Sequence, residues 1–215
     1  MTEGASPTKL RRPRSPRGEG DTLRREILAA TERLLIETGS EDAVSIRAVA
    51  DAIGVTPPAI YRHFADKTSL LFAVCGLWFA RMDRSILDSS VGLDDPVVVL
   101  RVRALAYVRF GLDNPEHYRI MFMGRSELTP DEYADEVLVG SDAFEHLVES
   151  VQTGIDAGVF RPELTDAYEL ALTLWAAIHG VTSLCVSKPY MPGPPAEQRL
   201  AQMLDVVFRG ALRSD

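Results

Sequence analysis

An all-α fold is predicted for this chain of 215 residues: a three-helix N-terminal head followed by a helical bundle. Three observations predict it. Apolar side chains recur at i, i+3, i+4 and i+7 in most segments, the period of a helix with one buried face. Gly, Pro and Asn clusters cut the chain into helix-length pieces. No stretch alternates convincingly as a strand would, and no fixed repeat is visible. A hydrophobic content of 46% suffices to fill a core.

Residues 1–20 are rich in Pro, Gly, Ser and Arg and almost free of apolar residues. They read as a disordered basic arm, either a solvated tail or a segment that touches a polyanion. Residues 21–66 form the head. Leu23, Ile27, Ala30, Leu34 and Leu35 make an amphipathic first helix that Gly39 stops. Ile46, Val49, Ala50 and Ile53 mark the second. Gly54 suits the left-handed residue that ends a helix and turns the chain. Val55 is placed to plug the corner, and Thr56 to cap a third helix. Pro57 and Pro58 cost little in the first turn, where N–H groups lack internal partners. Pro58 nevertheless pushes Pro57 toward an extended conformation, so the start of this helix is uncertain by about one residue. Ile60 and Phe64 face inward, leaving Thr56, Ala59, Tyr61, Arg62 and His63 outward.

The whole is a helix-turn-helix, whose recognition helix enters the DNA major groove, where base edges are distinguishable. Thr56, Pro57 and Ala59 let the helix approach closely, and Ala59 suits contact with a thymine methyl. Tyr61 offers a ring and a hydroxyl to a phosphate or a base. Arg62 and His63 add donors. Ser45 and Arg47 are placed to touch DNA backbone on the other side. Lys67 falls in the first turn of a fourth helix capped by Asp66. The macrodipole disfavours a cation there, which suggests a phosphate as an outside partner.

Three short helices followed at once by a fourth with an early lysine resemble the tetracycline-repressor (TetR) family of bacterial transcription regulators. The resemblance runs from about Arg24 to Leu71 and is most specific in Ala59–Ile60–Tyr61–Arg62–His63–Phe64–Ala65–Asp66–Lys67–Thr68–Ser69–Leu70–Leu71. It implies that Tyr61 and His63 lie at the DNA surface. Asn114–Pro115–Glu116–His117–Tyr118–Arg119 and Trp175–Ala176–Ala177–Ile178–His179–Gly180 resemble one subgroup, with a Trp-His-Gly type C-terminal domain.

Residues 67–215 are expected to bind an effector and to dimerise. The fourth helix runs through Leu70, Leu71, Val74, Leu77, Trp78 and Met82, and further helices follow near 94–112, 115–123, 130–157, 166–187 and 195–213, with the 130–157 segment expected to split or kink near Gly140. In the TetR family the last two form a homodimer bundle, and the DNA partner is a double-stranded palindromic operator. Aromatic and methionine side chains crowd the middle. As a group they fit an adaptable apolar pocket for a small-molecule effector, with Trp78, Met82, Tyr107, Tyr118, Phe122, Phe144, Trp175 and His179 as candidate lining.

Net charge is −8, which looks wrong for a DNA binder until its distribution is considered. Residues 1–67 hold 11 basic and 10 acidic side chains, and residues 68–215 hold 12 and 21. An acidic body confines DNA contact to one end and argues against a nucleoid-type architectural protein. An enzyme is disfavoured, for there is no G-x-S-x-G, no Walker loop and no pair of Glu-x-x-His motifs. His179 and Ser183 stand at i and i+4, but no third catalytic member is marked. No cofactor is expected. His117, His146, His179 and Cys185 lack metal-ligand spacing, so no metal is expected. Cys75 and Cys185 read as reduced thiols of a cytoplasmic protein, with a redox role the alternative. No apolar run approaches membrane length, and Arg11–Arg12 lead into Pro13 rather than a signal segment. The expected function is a dimeric repressor released from an inverted-repeat operator by a mostly apolar effector. An activator of the same fold is indistinguishable from sequence.

Overall fold

The computed structural model describes residues 20–123 and 142–213. The expected basic arm and the stretch 124–141, including Gly140 and the start of the expected 130–157 helix, lie outside them. The described residues form nine helices: α1 (Gly20–Thr38), α2 (Ile46–Ile53), α3 (Pro57–Tyr61), α4 (Lys67–Asp88), α5 (Pro96–Asp113), α6 (Pro115–Met123), α7 (Asp142–Asp156), α8 (Ala167–Ser187) and α9 (Ala196–Ala211). An isolated antiparallel bridge joins Phe160 to Leu212. The chain divides into two compact units, Met1–Cys75 and Gly76–Asp215, with the division falling inside α4.

In the first unit α2 packs on α1 and α3. Ile27, Leu35, Val44, Val49, Ile60, Phe64 and Leu70 are buried together, as the apolar period requires. Ser45 caps α2, its hydroxyl accepting from the Ala48 N–H at 3.1 Å. At the other end Gly54 has φ +70°, and the Val55 N–H reaches back to the Ala50 carbonyl at 3.0 Å. That six-to-one bond needs a left-handed residue, which glycine adopts without Cβ strain. The corner lies at Thr56, extended at φ −94°, ψ 148°. Pro57 is therefore already helical, and its fixed φ suits that role. Thr56 occupies the cap position, but its side chain makes no cap bond.

α4 opens on a reciprocal cap. Asp66 Oδ1 accepts from the Ser69 N–H at 2.7 Å, and Ser69 Oγ accepts from the Asp66 N–H at 3.1 Å. Serine here takes the part usually played by glutamate.

In the second unit α5 packs on α7, α8 and α9, α6 on α5 and α8, and α8 also on α7 and α9. Asp95 caps α5 through the Val97 and Val98 N–H groups, and Asp166 caps α8 through that of Glu169. Arg119 of α6 donates to the Val186 carbonyl at 2.8 Å, a cation set at the C-terminal end of α8. Arg103 of α5 donates to the hydroxyls of Ser90 and Ser150, and His146 of α7 bonds Asp83 of α4 at 3.1 Å. These polar ties fix helices whose apolar faces alone leave sliding freedom.

α5 and α8 approach closely at Gly111. A Cβ there would stand 2.5 Å from Thr182 Cγ2 and 3.0 Å from the Tyr118 ring. Thr182 cannot easily turn aside, since its hydroxyl donates to the Ile178 carbonyl at 2.8 Å. Gly111→Ala is therefore expected to destabilise the body by about 1–3 kcal/mol, as overpacking does. Thermal melts of the two chains check this, and an unchanged midpoint would show that the helices part freely.

One sequence expectation is corrected. α8 is 21 residues long and apolar enough to span a membrane by length and composition. It has two apolar faces. Leu170, Ala171, Leu174, Ile178, Thr182 and Val186 are buried in the body core, so core packing accounts for much of its composition.

Candidate functional site

Two groups of residues carry chemistry, one in each unit. In the head, Ser45, Arg47, Thr56, Tyr61 and Arg62 are exposed, while Pro57, His63 and Lys67 are half-buried. Tyr61 keeps 53% of its surface in water although it is a large aromatic on a short helix. Ala59 departs from expectation: it is only 7% exposed. α3 has five residues and must seat Ile60 against α2, which draws the preceding position inward as well. α3 also ends at Tyr61, so Arg62 is its C-cap and His63 lies in the following turn. The His63 and Phe64 N–H groups still bond the Ile60 carbonyl, at 2.8 and 3.1 Å. The turn is thereby held, and Phe64 is buried with the Arg24 guanidinium 5.1 Å above its ring.

Lys67 begins α4 as expected. The Asp66 carboxylate beside it offsets the unfavourable helix dipole, so the position of this lysine does not of itself demand a phosphate. It does leave a cation next to Tyr61, Arg62 and His63 along the chain.

In the body, six of the eight candidate pocket residues form one connected ring cluster. Tyr118 and Phe122 have centroids 4.7 Å apart, Phe122 and His179 5.0 Å, Trp175 and His179 5.4 Å, and Phe144 and Trp175 5.9 Å. Tyr107 meets Tyr118 edge-on at 6.1 Å. Trp78 and Met82 are buried, and Trp78 stands edge-on to His117 at 4.6 Å. Trp78 thus meets His117 rather than the six rings, while its neighbour Phe79 reaches Phe122 at 5.3 Å.

His179 is the polar centre of the cluster. Its Nδ1 lies 2.8 Å from the Tyr118 hydroxyl and 3.0 Å from that of Tyr107, and its Nε2 lies 3.1 Å from Ser183 Oγ. The two phenol oxygens are 3.2 Å apart. Burial pushes the Tyr107 phenol well above the usual tyrosine range, raises that of Tyr118, and pushes His179 below the usual imidazole value. Near neutral pH the four groups are therefore uncharged. A histidine held neutral in the fold contributes stability that is present above its unfolded pKa and is lost as pH falls through the lower folded value. Acidification below about 6.5 should weaken the body, and His179→Gln should remove that part of the loss in melts run against pH.

The sequence marked His179 and Ser183 by their spacing but gave no sign of Tyr107 and Tyr118 as their partners. The three histidines of the body have different neighbours: His117 stands against Trp78, His146 bonds Asp83 and His179 bonds the phenols. Among the described residues no group of three or more His, Cys, Asp or Glu gathers to hold a metal. Burial, with Glu41 nearby, pushes the Cys75 thiol up to about 12, which makes it unreactive. A separate cavity of about 290 Å³ is lined by Leu105, Val108, Arg109, Leu112, Asp113, Glu197 and Leu200. None of the eight candidate pocket residues lines it, and nothing in the sequence pointed to it.

Residues 27–74 match the family described as bacterial regulatory proteins, tetR family. Residues 100–207 match the tetracyclin repressor-like C-terminal domain. Among solved structures, a protein of unknown function from a Rhodococcus species superposes with a TM-score of 0.75 at 27% identity, covering 89% of this chain and 96% of that one. A TetR family transcription regulator from Marinobacter aquaeolei gives 0.65 at 22%, covering 93% and 100%. A TetR/AcrR regulator from Thermobifida fusca gives 0.61 at 22%, covering 89% and 100%. No curated protein matches. The head and the helical body thus define a DNA-binding regulator of transcription, not an enzyme. The chain belongs to the TetR family, with a tetracyclin repressor-like C-terminal domain.

Proposed function

We propose that this regulator is a cytoplasmic homodimeric repressor that reads an inverted-repeat operator and is released by a mostly apolar small molecule. The observation that carries the reading is α3, which presents Tyr61 to solvent beside Arg62, His63 and Lys67. Thr56, Pro57, Ser45 and Arg47 flank that surface, and the nearly buried Ala59 is its weakest member.

Dimerisation draws support from α8 and α9. Leu172, Ala176, Gly180 and Leu184 form an i+4 row on α8, with Leu184 49% exposed. A Cβ added at Gly180 or Gly210 would meet nothing in this chain. Val206 on α9 is 71% exposed. An outward row of apolar and small residues is what packing against a second helix pair uses. The aromatic cluster supports the effector. Trp175 and His179 within it, with the adjoining Gly180, are also the residues that suggest the Trp-His-Gly type of C-terminal domain.

Two measurements test this function. Lys67→Ala should weaken operator binding evenly across sequences and reduce the slope of log affinity against log salt by about 1 per chain. An unchanged slope means that Lys67 meets no phosphate. An effector that releases DNA must bind the released state better, so operator must lower effector affinity by the same factor. Titrating the effector with and without operator reads that factor directly, and equal affinities would dissociate the pocket from DNA control.

A further inference from the structure

The hydroxyl of Ser183, the imidazole of His179 and the hydroxyls of Tyr118 and Tyr107 make a continuous chain of hydrogen bonds inside a wall of rings. Each member is both a donor and an acceptor. With Nε2 protonated, Nε2–H donates to Ser183 Oγ, Tyr118 O–H to Nδ1, and Tyr107 O–H to the Tyr118 oxygen. With Nδ1 protonated, the direction reverses: Ser183 O–H donates to Nε2, and Nδ1–H to a phenol oxygen. The distances, 2.8 to 3.2 Å, serve both arrangements. Among the described residues no charged side chain bonds to any member of the chain. The surrounding Phe122, Phe144 and Trp175 are only partly buried.

We propose that this four-membered relay is the polar reading head of the effector site, and that it selects an uncharged ligand bearing one hydroxyl or carbonyl on an aromatic body. The proposal rests on the reading of the ring cluster as the effector site. The chemistry follows from the relay. A chain that reverses offers a donor to a carbonyl and either partner to a hydroxyl. A carboxylate entering the same wall loses its hydration and meets no cation among the described residues, so it is rejected. An apolar ligand without a polar group fits the rings but cannot displace a relay bond at equal return.

The experiment is calorimetric titration of the full chain at neutral pH with 2-naphthol, 2-methylnaphthalene and 2-naphthoate. 2-Naphthol is expected to bind about tenfold more tightly than 2-methylnaphthalene, one buried hydrogen bond's worth, and by more than that over 2-naphthoate. In His179→Phe the affinities of 2-naphthol and 2-methylnaphthalene should become equal. His179→Gln, whose amide donates and accepts, should restore most of the preference and guards against a folding defect in the phenylalanine variant. Binding of 2-naphthoate as tight as that of 2-naphthol, or a preference that survives His179→Phe, would overturn the relay while leaving the site. Failure of all three probes to bind would overturn the site itself.

Discussion

Tyr118→Ala is expected to destabilise the body by about 3–5 kcal/mol, the usual cost of emptying a large aromatic site. Tyr118 is fully buried. Its ring touches Phe122 and Tyr107, stacks on His179 and lies against the Gly111 backbone. For a domain of this size such a loss lowers the melting midpoint by roughly 10 °C or more. Tyr118→Phe separates ring from hydroxyl. Tyr107 Oη already lies 3.0 Å from His179 Nδ1 and takes over the vacant bond. The phenylalanine variant is therefore expected to cost only about 0.5–1.5 kcal/mol. Denaturant titration of both variants checks the pair. Equal losses would show that the hydroxyl network, not the ring, holds this part of the core.

Tyr61→Ala is expected to reduce operator affinity by about 10- to 100-fold per half-site contacted, the range of one good recognition contact. The head should keep its fold, because the Tyr61 side chain is more than half exposed and its buried neighbours Ile60 and Phe64 are untouched. Fluorescence anisotropy with labelled operator measures the loss, and circular dichroism of the same sample checks the fold. Undiminished affinity would remove α3 from the DNA surface. Tyr61→Phe distinguishes the two uses of this residue, since it keeps ring contact and loses only the hydroxyl bond.

Most of the head was legible in the sequence because its signals are local. The apolar period through Ile46 to Ile53, a glycine where a left-handed turn is needed and an aspartate before α4 each act within five residues. Ala59 was misplaced because its environment depends on how closely a five-residue helix beds on α2, which periodicity does not report. In the body the helix bounds followed from Asp95–Pro96, Asn114–Pro115 and Gly158. The ring cluster was legible as composition, and the His179–Ser183 spacing as a shared helix face. Tyr107 and Tyr118 joined them only through tertiary packing, 72 and 61 residues away in sequence from His179. The close approach at Gly111 and the α5–α9 cavity are likewise products of packing alone.

In the proposed function two copies of α3, related by a two-fold axis, read the operator. Hydroxyl-radical footprinting of the full chain on the DNA beside its own gene tests it most directly. Two protected half-sites of inverted sequence are expected, centred about 34–36 Å or a multiple apart, both lost together in Tyr61→Ala. A single protected half-site, or protection that persists in that variant, would contradict it.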